Sequence, residues 1–451
     1  MNIALKMLVV GIVLLFNSQL LSQNITQESC IVKIDPDGVA RIHGKRTFIY
    51  GTFRDPSDDW RQFEGIKEGG FNLTHDYYFE NSIIRENKDY GNKEIEQYIA
   101  EASEYLNLAS KNNIGVFLGL PRAVILKADT ETLKKIVLAL SDKPALWFWY
   151  LSDEPHYRKN DITKSLALCY ETIQKNDGKR PIVIVDNGGF EMPLFNYCDM
   201  IWTDRYPAPF GILPVAQVQN EARKARPDKT VWSVPFAHSD LSMMSRRKYP
   251  VTDEIQRPNA KEITAMAHTA IAGKSQGVIY YWYPGMNFRE KLPKTWKSFV
   301  NLGSLFKELQ NVLVSPEPTV PAQIDAVCKT RYQVLDKAYN SSKKGKYPEE
   351  ESEVISWQRI YKDRLYVGLV NAGYQPRIKV KITVPYEFQR IVQYPGNKIV
   401  VEKDKKGNWI VLQKDIPVAV LSEPNGKKIE VQLNECDAIV WAFEPLNKNV
   451  K

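Results

Sequence analysis

Acidic and aromatic residues recur at the ends of short apolar runs in this chain. In order they are Arg54-Asp55, His75-Asp76-Tyr77-Tyr78, Pro121-Arg122, Ser152-Asp153-Glu154-Pro155-His156, Asp186-Asn187, Asp204-Arg205-Tyr206-Pro207, His238 with Asp240, and Trp282-Tyr283. Carboxylates facing each other across a pocket suit glycoside hydrolysis: one acid protonates the leaving oxygen and a second carboxylate attacks or activates water. Sugars ask for both kinds of residue, because their C–H faces pack on aromatic rings while their hydroxyls need Asp, Asn, Arg and His partners. The five His form no HExxH and show no spacing to a carboxylate that marks a metal site. No GxGxxG follows the first apolar run and no GxxxxGK[ST] occurs, so the sequence implies no cofactor.

The elements that must position these residues alternate short β-rich runs with longer amphipathic stretches, the pattern of repeated βα units and a parallel sheet. The expected strands are Arg46–Arg54, Asn72–Phe79, Gly115–Arg122, Leu146–Asp153, Pro181–Asp186, Met200–Tyr206, Val231–Ala237 and Gly277–Tyr283. Helices are expected at Asp59–Glu68, Glu94–Asn112, Thr130–Leu140, Ile162–Lys175, Leu213–Arg226, Ala260–Gly273 and Lys294–Leu313, and Asp129 and Asn160-Asp161 supply capping signals. Eight such units match a (β/α)8 TIM barrel better than an open doubly wound sheet, and in that fold working residues emerge at the carboxyl ends of the strands. Trp147, Trp149 and Trp202 alternate along strands and read as core, whereas Trp282 and Trp60 are placed for stacking.

The fourth strand, Trp147-Phe-Trp-Tyr-Leu-Ser-Asp-Glu-Pro155, resembles the acid/base strand of clan A glycoside hydrolases, whose barrels end strand four in Asn-Glu-Pro. Asp199-Met-Ile-Trp-Thr-Asp-Arg-Tyr-Pro207, Gly277-Val-Ile-Tyr-Tyr-Trp-Tyr283 and the opening from Asp37-Gly38 to Gly51 are similar to the same superfamily, so the resemblance covers Asp35 to Val314. It implies that Glu154 is the general acid, its pKa raised by apolar surroundings, and that Trp282 is a platform for the sugar. Two positions depart from the pattern. Asp153 stands where the clan has Asn, on the opposite side of an extended strand from Glu154 and suited to ordering the loop. The seventh strand, Val231 to His238, lacks the Glu expected of a retaining nucleophile. Asp204, Asp76, Asp186 and Asp240 are the candidates to replace it, with Asp204 preferred because it leaves strand six beside a Tyr-Pro turn. Asp76, Tyr78, Arg122, Asp153, Asp186, Tyr206, His238 and Trp282 are expected to bind substrate. The competing reading of Glu154 is a structural carboxylate bonded to Arg122 or Arg205; His43 and His268 read as structural.

From Ser315-Pro-Glu-Pro318 onward the composition changes to period-two runs, Arg364–Asn371, Arg377–Val384, Ile391–Tyr394, Lys398–Glu402, Trp409–Leu412, Lys428–Leu433 and Ala438–Phe443, separated by Asn/Gly/Pro/Lys turns. This is a β-sandwich signature, with polar Ser341–Glu353 expected as a long loop. The division expected is an export signal at 1–23, the barrel at 24–318 and the sandwich at 319–451. A Lys6 start followed by apolar Met7 to Phe16 is too short to span a bilayer and reads as a signal for export to the periplasm or the medium. No other run is apolar enough to cross a membrane.

The five Cys are widely spaced without a CxxC, against both a zinc site and a disulfide scaffold; Cys169 and Cys198 read as core. The net charge of +8 comes largely from loop runs such as Lys343-Lys344-Gly345-Lys346, with no basic helix or module for nucleic acid. The sequence therefore points to an exported glycoside hydrolase acting on an oligo- or polysaccharide. The missing strand-seven Glu points to the rival, a non-catalytic glycan-binding protein on the same barrel. A lyase or isomerase would call for a metal cluster, a Schiff-base Lys or a phosphate site.

Overall fold

A computed structural model describes residues 32–54, 59–158, 160–206, 211–237, 258–283, 292–326, 353–374, 377–405, 409–412, 418–420 and 428–446. The expected export segment, the 341–352 loop, Cys30, Cys328, His238 and Asp240 lie outside the described residues. Eight parallel strands close into a barrel: Ile49–Arg54, Leu73–Asp76, Gly115–Gly119, Leu146–Asp153, Ile182–Asp186, Met200–Arg205, Thr230–Pro235 and Gly277–Tyr283, the last pairing with both the first and the seventh. They are called the first to eighth barrel strands below.

The barrel closes because its strands carry large apolar side chains on both faces, as parallel strands covered by helices must. Phe53, Phe117, Phe148, Trp202 and Trp232 fill the interior, with Trp202 and Trp232 stacked at 5.7 Å and the Phe148 ring edge-on to both. Outward residues meet the helices, of which Asn92–Lys111, Thr130–Leu140, Thr163–Asn176, Pro214–Ala225 and Ala260–Ala272 follow the expected bounds to within two residues. Asp129 caps Thr130–Leu140 by accepting from Thr132 N–H at 3.1 Å, and Asp161 accepts from Thr163 N–H at 2.9 Å. Cys169 and Cys198 are buried free thiols.

Three expected strands differ in their bounds: the first starts late, and the second and third end early at the barrel mouth. The run from Arg46 splits, since Lys45–Thr47 pairs with Ala40–Ile42 and Val32–Ile34 in a small antiparallel sheet. That sheet covers the amino-terminal end of the barrel, where Trp232 Nε1 donates to Gly38 O at 3.0 Å. The second strand stops at Asp76, whose Oδ1 accepts from Tyr78 N–H at 2.9 Å and starts the short helix Tyr78–Asn81. The third stops at Gly119, and Pro121 leads into the helix Arg122–Leu126.

The C-terminal part forms two antiparallel sheets. One has the order Gln323–Ala326, Ile378–Thr383, Lys428–Leu433, Val418–Val420; the other has Val354–Tyr361, Arg364–Asn371, Ala438–Pro445, Phe388–Tyr394, Lys398–Lys403, Trp409–Val411. Their inner faces share a core of Val367, Val380, Ile382, Val401, Val431 and Trp441, so this is a β-sandwich. The six-stranded sheet docks on helix Ala260–Ala272. Trp357 stacks on His268 at 6.1 Å and its Nε1 donates to His268 Nδ1 at 3.2 Å, Ile212 N–H donates to Ala372 O at 2.8 Å, and Tyr374 hydroxyl donates to Glu262 Oε1. His268 is structural, at the seam between the two parts.

Candidate active site

The fourth barrel strand is out of step with both neighbours. Its pairing with the third skips Trp147, and its pairing with the fifth passes from Tyr150↔Val183 to Ser152↔Ile184, skipping Leu151. One extra residue re-aims the side chains that follow it. Plain alternation would turn Asp153 away from the side that Tyr150 faces, but Asp153 Oδ1 accepts from Tyr150 hydroxyl at 2.7 Å, and its Oδ2 accepts from Tyr77 hydroxyl and Arg122 Nη2, each at 3.4 Å. The expectation that Asp153 and Glu154 lie on opposite sides is thus corrected: Asp153 faces the barrel mouth with Glu154. Burial, with the charge of Glu80 adding to it, pushes Asp153 up to about 6.

Glu154 leaves the strand in a left-handed conformation, φ 41° and ψ 53°, before the 3-10 turn Pro155–Tyr157. For a residue with a side chain this costs about 1–3 kcal/mol and persists only where surrounding contacts hold it. The fifth strand supplies them: Glu154 N–H donates to Val185 O at 2.9 Å, and Asn187 Nδ2 donates to Glu154 Oε1 at 2.8 Å. Across the mouth stands the Asp204 carboxyl at the end of the sixth strand, near enough to Glu154 for each acid to act on the other's ionisation. Two buried carboxyls facing each other resist ionising together. Burial raises Glu154, offset in part by the neighbouring Asp204 and by its bond from Asn187. Burial also holds Asp204 well above the carboxylate range, reinforced by the charges of Glu154 and Asp153. Tyr206 hydroxyl donates to Asp204 Oδ2 at 3.0 Å, and among the described residues Asp204 Oδ1 is buried without a hydrogen-bond donor.

Two features of the mouth escape the sequence reading. The first is Glu80, buried on the Tyr78–Asn81 helix, where His75 Nε2 lies 2.9 Å from Oε1 and Arg122 Nε donates to Oε2 at 2.9 Å. Burial works against its charge, yet His75 and Arg122 hold it below the ordinary value. Gly119 makes room for this group: a Cβ there would stand 2.5 Å from Glu80 Cγ and 2.7 Å from His75 Cε1. The second is the pair of rings that extend the expected Tyr206 into an aromatic wall, Phe236 at 4.8 Å and Tyr281 at 5.4 Å from it, with Tyr281 also 6.2 Å from Tyr77. Glu80 stands four residues past Asp76 in a stretch read as strand end and loop, so only a recognised helical turn could have marked it.

Of the expected site residues, Glu154, Asp204, Asp153, Arg122 and Tyr206 come together. Arg122 binds Glu80 and Asp153, not Glu154. Asp186 lies behind the Glu154 turn, fully buried, accepting from His156 N–H at 3.3 Å and from Asn187 N–H at 2.7 Å and touching the His156 ring; burial pushes it up to about 7. Asp76 is equally buried, 3.8 Å from Arg54 Nε. Tyr78 is corrected: its hydroxyl donates to Glu101 Oε2 at 2.8 Å on helix Asn92–Lys111, and the tyrosine at the mouth is its neighbour Tyr77. Trp60 is corrected too, being buried against Phe79 and Tyr105. Trp282 lies in the eighth strand, its side chain outside the described residues, and so does all of His238. Among the described residues no group of three or more His, Cys, Asp or Glu is arranged to hold a metal ion.

Comparison with known proteins gives no matching family model and no matching curated protein. Solved structures do match. A glycoside hydrolase aligns over 94% of this chain and 99% of its own, with a TM-score of 0.55 and 13% identity. A β-glucuronidase from an uncultured Clostridium aligns over 61% of this chain with a TM-score of 0.43 and 14% identity, this chain spanning 53% of its length. An endoxylanase from Clostridium papyrosolvens aligns over 88% of this chain and 96% of its own, with a TM-score of 0.43 and 10% identity. The chain therefore has, over nearly its whole length, the fold of a solved glycoside hydrolase, a (β/α)8 barrel joined to a β-sandwich.

Proposed function

We propose that this protein is a glycoside hydrolase that cleaves O-glycosidic bonds in an oligo- or polysaccharide, with Glu154 as the general acid and Asp204 as its carboxyl partner. The observation that carries the reading is that Glu154 and Asp204 end the fourth and sixth barrel strands at one barrel mouth, in buried surroundings that favour the protonated form of each. Burial favours the protonated form of Glu154, the form that protonation of a leaving oxygen requires. The Tyr206, Phe236 and Tyr281 rings offer apolar faces beside it, and Asp153 and Arg122 offer partners for hydroxyls.

The test is release of reducing sugar from a panel of plant, algal, fungal and host glycans by wild type, Glu154→Gln and Asp204→Asn. Release by wild type that both substitutions cut by about 100-fold or more supports the reading, and the anomer of the first product then tells whether Asp204 attacks the sugar or activates water. The second reading, a non-catalytic glycan binder, is favoured by the stretch Thr230 to Ala237, which carries no carboxylate. Binding of one glycan by wild type without release of sugar would select it. We also propose export, supported by the charged start and the apolar run Met7 to Phe16. N-terminal sequencing of the protein recovered from periplasm or medium tests this; a chain still starting at Met1 in the cytoplasm contradicts it.

A further inference from the structure

The left-handed backbone at Glu154 needs something to hold it, and the residue beneath it is Asp186. Three consecutive residues of the fifth strand's end grip the turn at three points: Val185 O accepts from Glu154 N–H at 2.9 Å, Asp186 accepts from His156 N–H at 3.3 Å, and Asn187 Nδ2 donates to Glu154 Oε1 at 2.8 Å. Asp186 is the middle one and ties the two others together. Its Oδ1 accepts from Asn187 N–H at 2.7 Å, which orients the residue whose amide reaches Glu154, and the same oxygen touches His156 Nδ1. With both oxygens engaged and no exposed surface, Asp186 has no free face to offer a sugar.

We propose that Asp186 is a positioning residue that holds Glu154 in its left-handed turn, with the His156 ring as its polar partner. The inference rests on the hydrolase reading for its kinetic consequence and on geometry alone for its structural one. Glu154 presents its carboxyl to Asp204 only while the chain turns left-handed at Cα. A right-handed or extended Glu154 would send Pro155 and His156 elsewhere and break the Asn187 and Asp186 contacts together. Asp186 thus acts through Glu154 and does not touch the reacting sugar. An asparagine at 186 keeps the shape and one acceptor oxygen but loses the second acceptor, so either the His156 contacts or the Asn187 N–H bond must give.

Two measurements test this. In steady-state kinetics on a glycan that wild type cleaves, Asp186→Asn is expected to lower kcat about 10-fold or more while KM stays within about two-fold, the signature of an acid displaced without loss of substrate contacts. In thermal unfolding, the Tm drop caused by Asp186→Asn is expected to be at least about 2 °C smaller in a Glu154→Gly background, because glycine takes a positive φ without strain and needs no clamp. A KM that rises with kcat unchanged would make Asp186 a substrate contact and overturn the proposal, as would equal Tm drops in the two backgrounds. Should Asp186→Asn not fold, His156→Ala is expected to give the same kcat loss and the same background dependence in smaller measure, and its indifference on both counts overturns the proposal. If wild type cleaves no glycan, the hydrolase reading fails while the Tm comparison still decides the role of Asp186.

Discussion

At the level of single residues, Glu154 combines a left-handed backbone with a carboxyl that burial raises. A left-handed backbone at a residue with a side chain lowers stability. Glu154→Gly is therefore expected to be more stable than Glu154→Ala by about 1 kcal/mol, both being inactive, as read from chemical denaturation midpoints. Equal stabilities would mean that the left-handed turn is not strained. Because burial raises Glu154 above an ordinary glutamate, the alkaline limb of kcat/KM, where the acid loses its proton, should lie at higher pH than the ordinary value of 4.5. A limb at or below 4.5 counts against Glu154 as the acid. The placement of Glu154 and Asp204 at strand ends was legible in the sequence, because the alternation of apolar runs and amphipathic stretches gave the strand bounds. Glu80 and Tyr77 were not, because choosing Tyr77 over Tyr78 requires knowing that the strand ends at Asp76 and turns helical.

The strand is the next scale up, and the fourth barrel strand shows what period-two reading misses. Its bounds, Leu146–Asp153, agree with the expectation residue for residue, yet its register breaks change which side chains share the mouth. An extra residue in a strand leaves no mark in hydrophobic periodicity when both faces are apolar, as in Trp147-Phe-Trp-Tyr-Leu151. The third strand carries its own condition, that position 119 has no side chain. Gly119→Ala is expected to destabilise the fold by about 1–3 kcal/mol and to lower activity together with stability, since the added methyl must displace Glu80 or His75 and through Arg122 disturb Asp153. Denaturation and kcat/KM on the same variant check it; an unchanged midpoint would show that the Glu80 group yields freely. In the sandwich, runs such as Ile378–Thr383 and Lys428–Leu433 alternate buried and outward residues and were readable. Val354–Tyr361 was not, because its Trp357 and Arg359 face the barrel and spoil the alternation of one wet and one dry face.

Across the whole molecule, barrel and sandwich share one apolar core in which Trp357, Tyr366, Val370 and Val440 join the helices of the barrel. His268 sits in that seam, and burial pushes it down to about 4 from an ordinary 6.5. Neutral in the folded chain and protonated below 6.5 when unfolded, it contributes stability above 6.5 that is lost as pH falls through the interval to 4, at most about 3 kcal/mol. His268→Gln should flatten the pH dependence of unfolding between 6.5 and 4 relative to wild type; parallel curves would contradict a neutral, buried His268. The central claim, that Glu154 delivers a proton to the leaving oxygen, is tested most directly by leaving-group dependence. On the sugar that wild type releases, Glu154→Gln should lose about 100-fold or more on the natural glycoside. It should retain most of its rate on an aryl glycoside whose phenol leaves without a proton. Equal losses on both substrates, or undiminished cleavage of the natural glycoside, would contradict it.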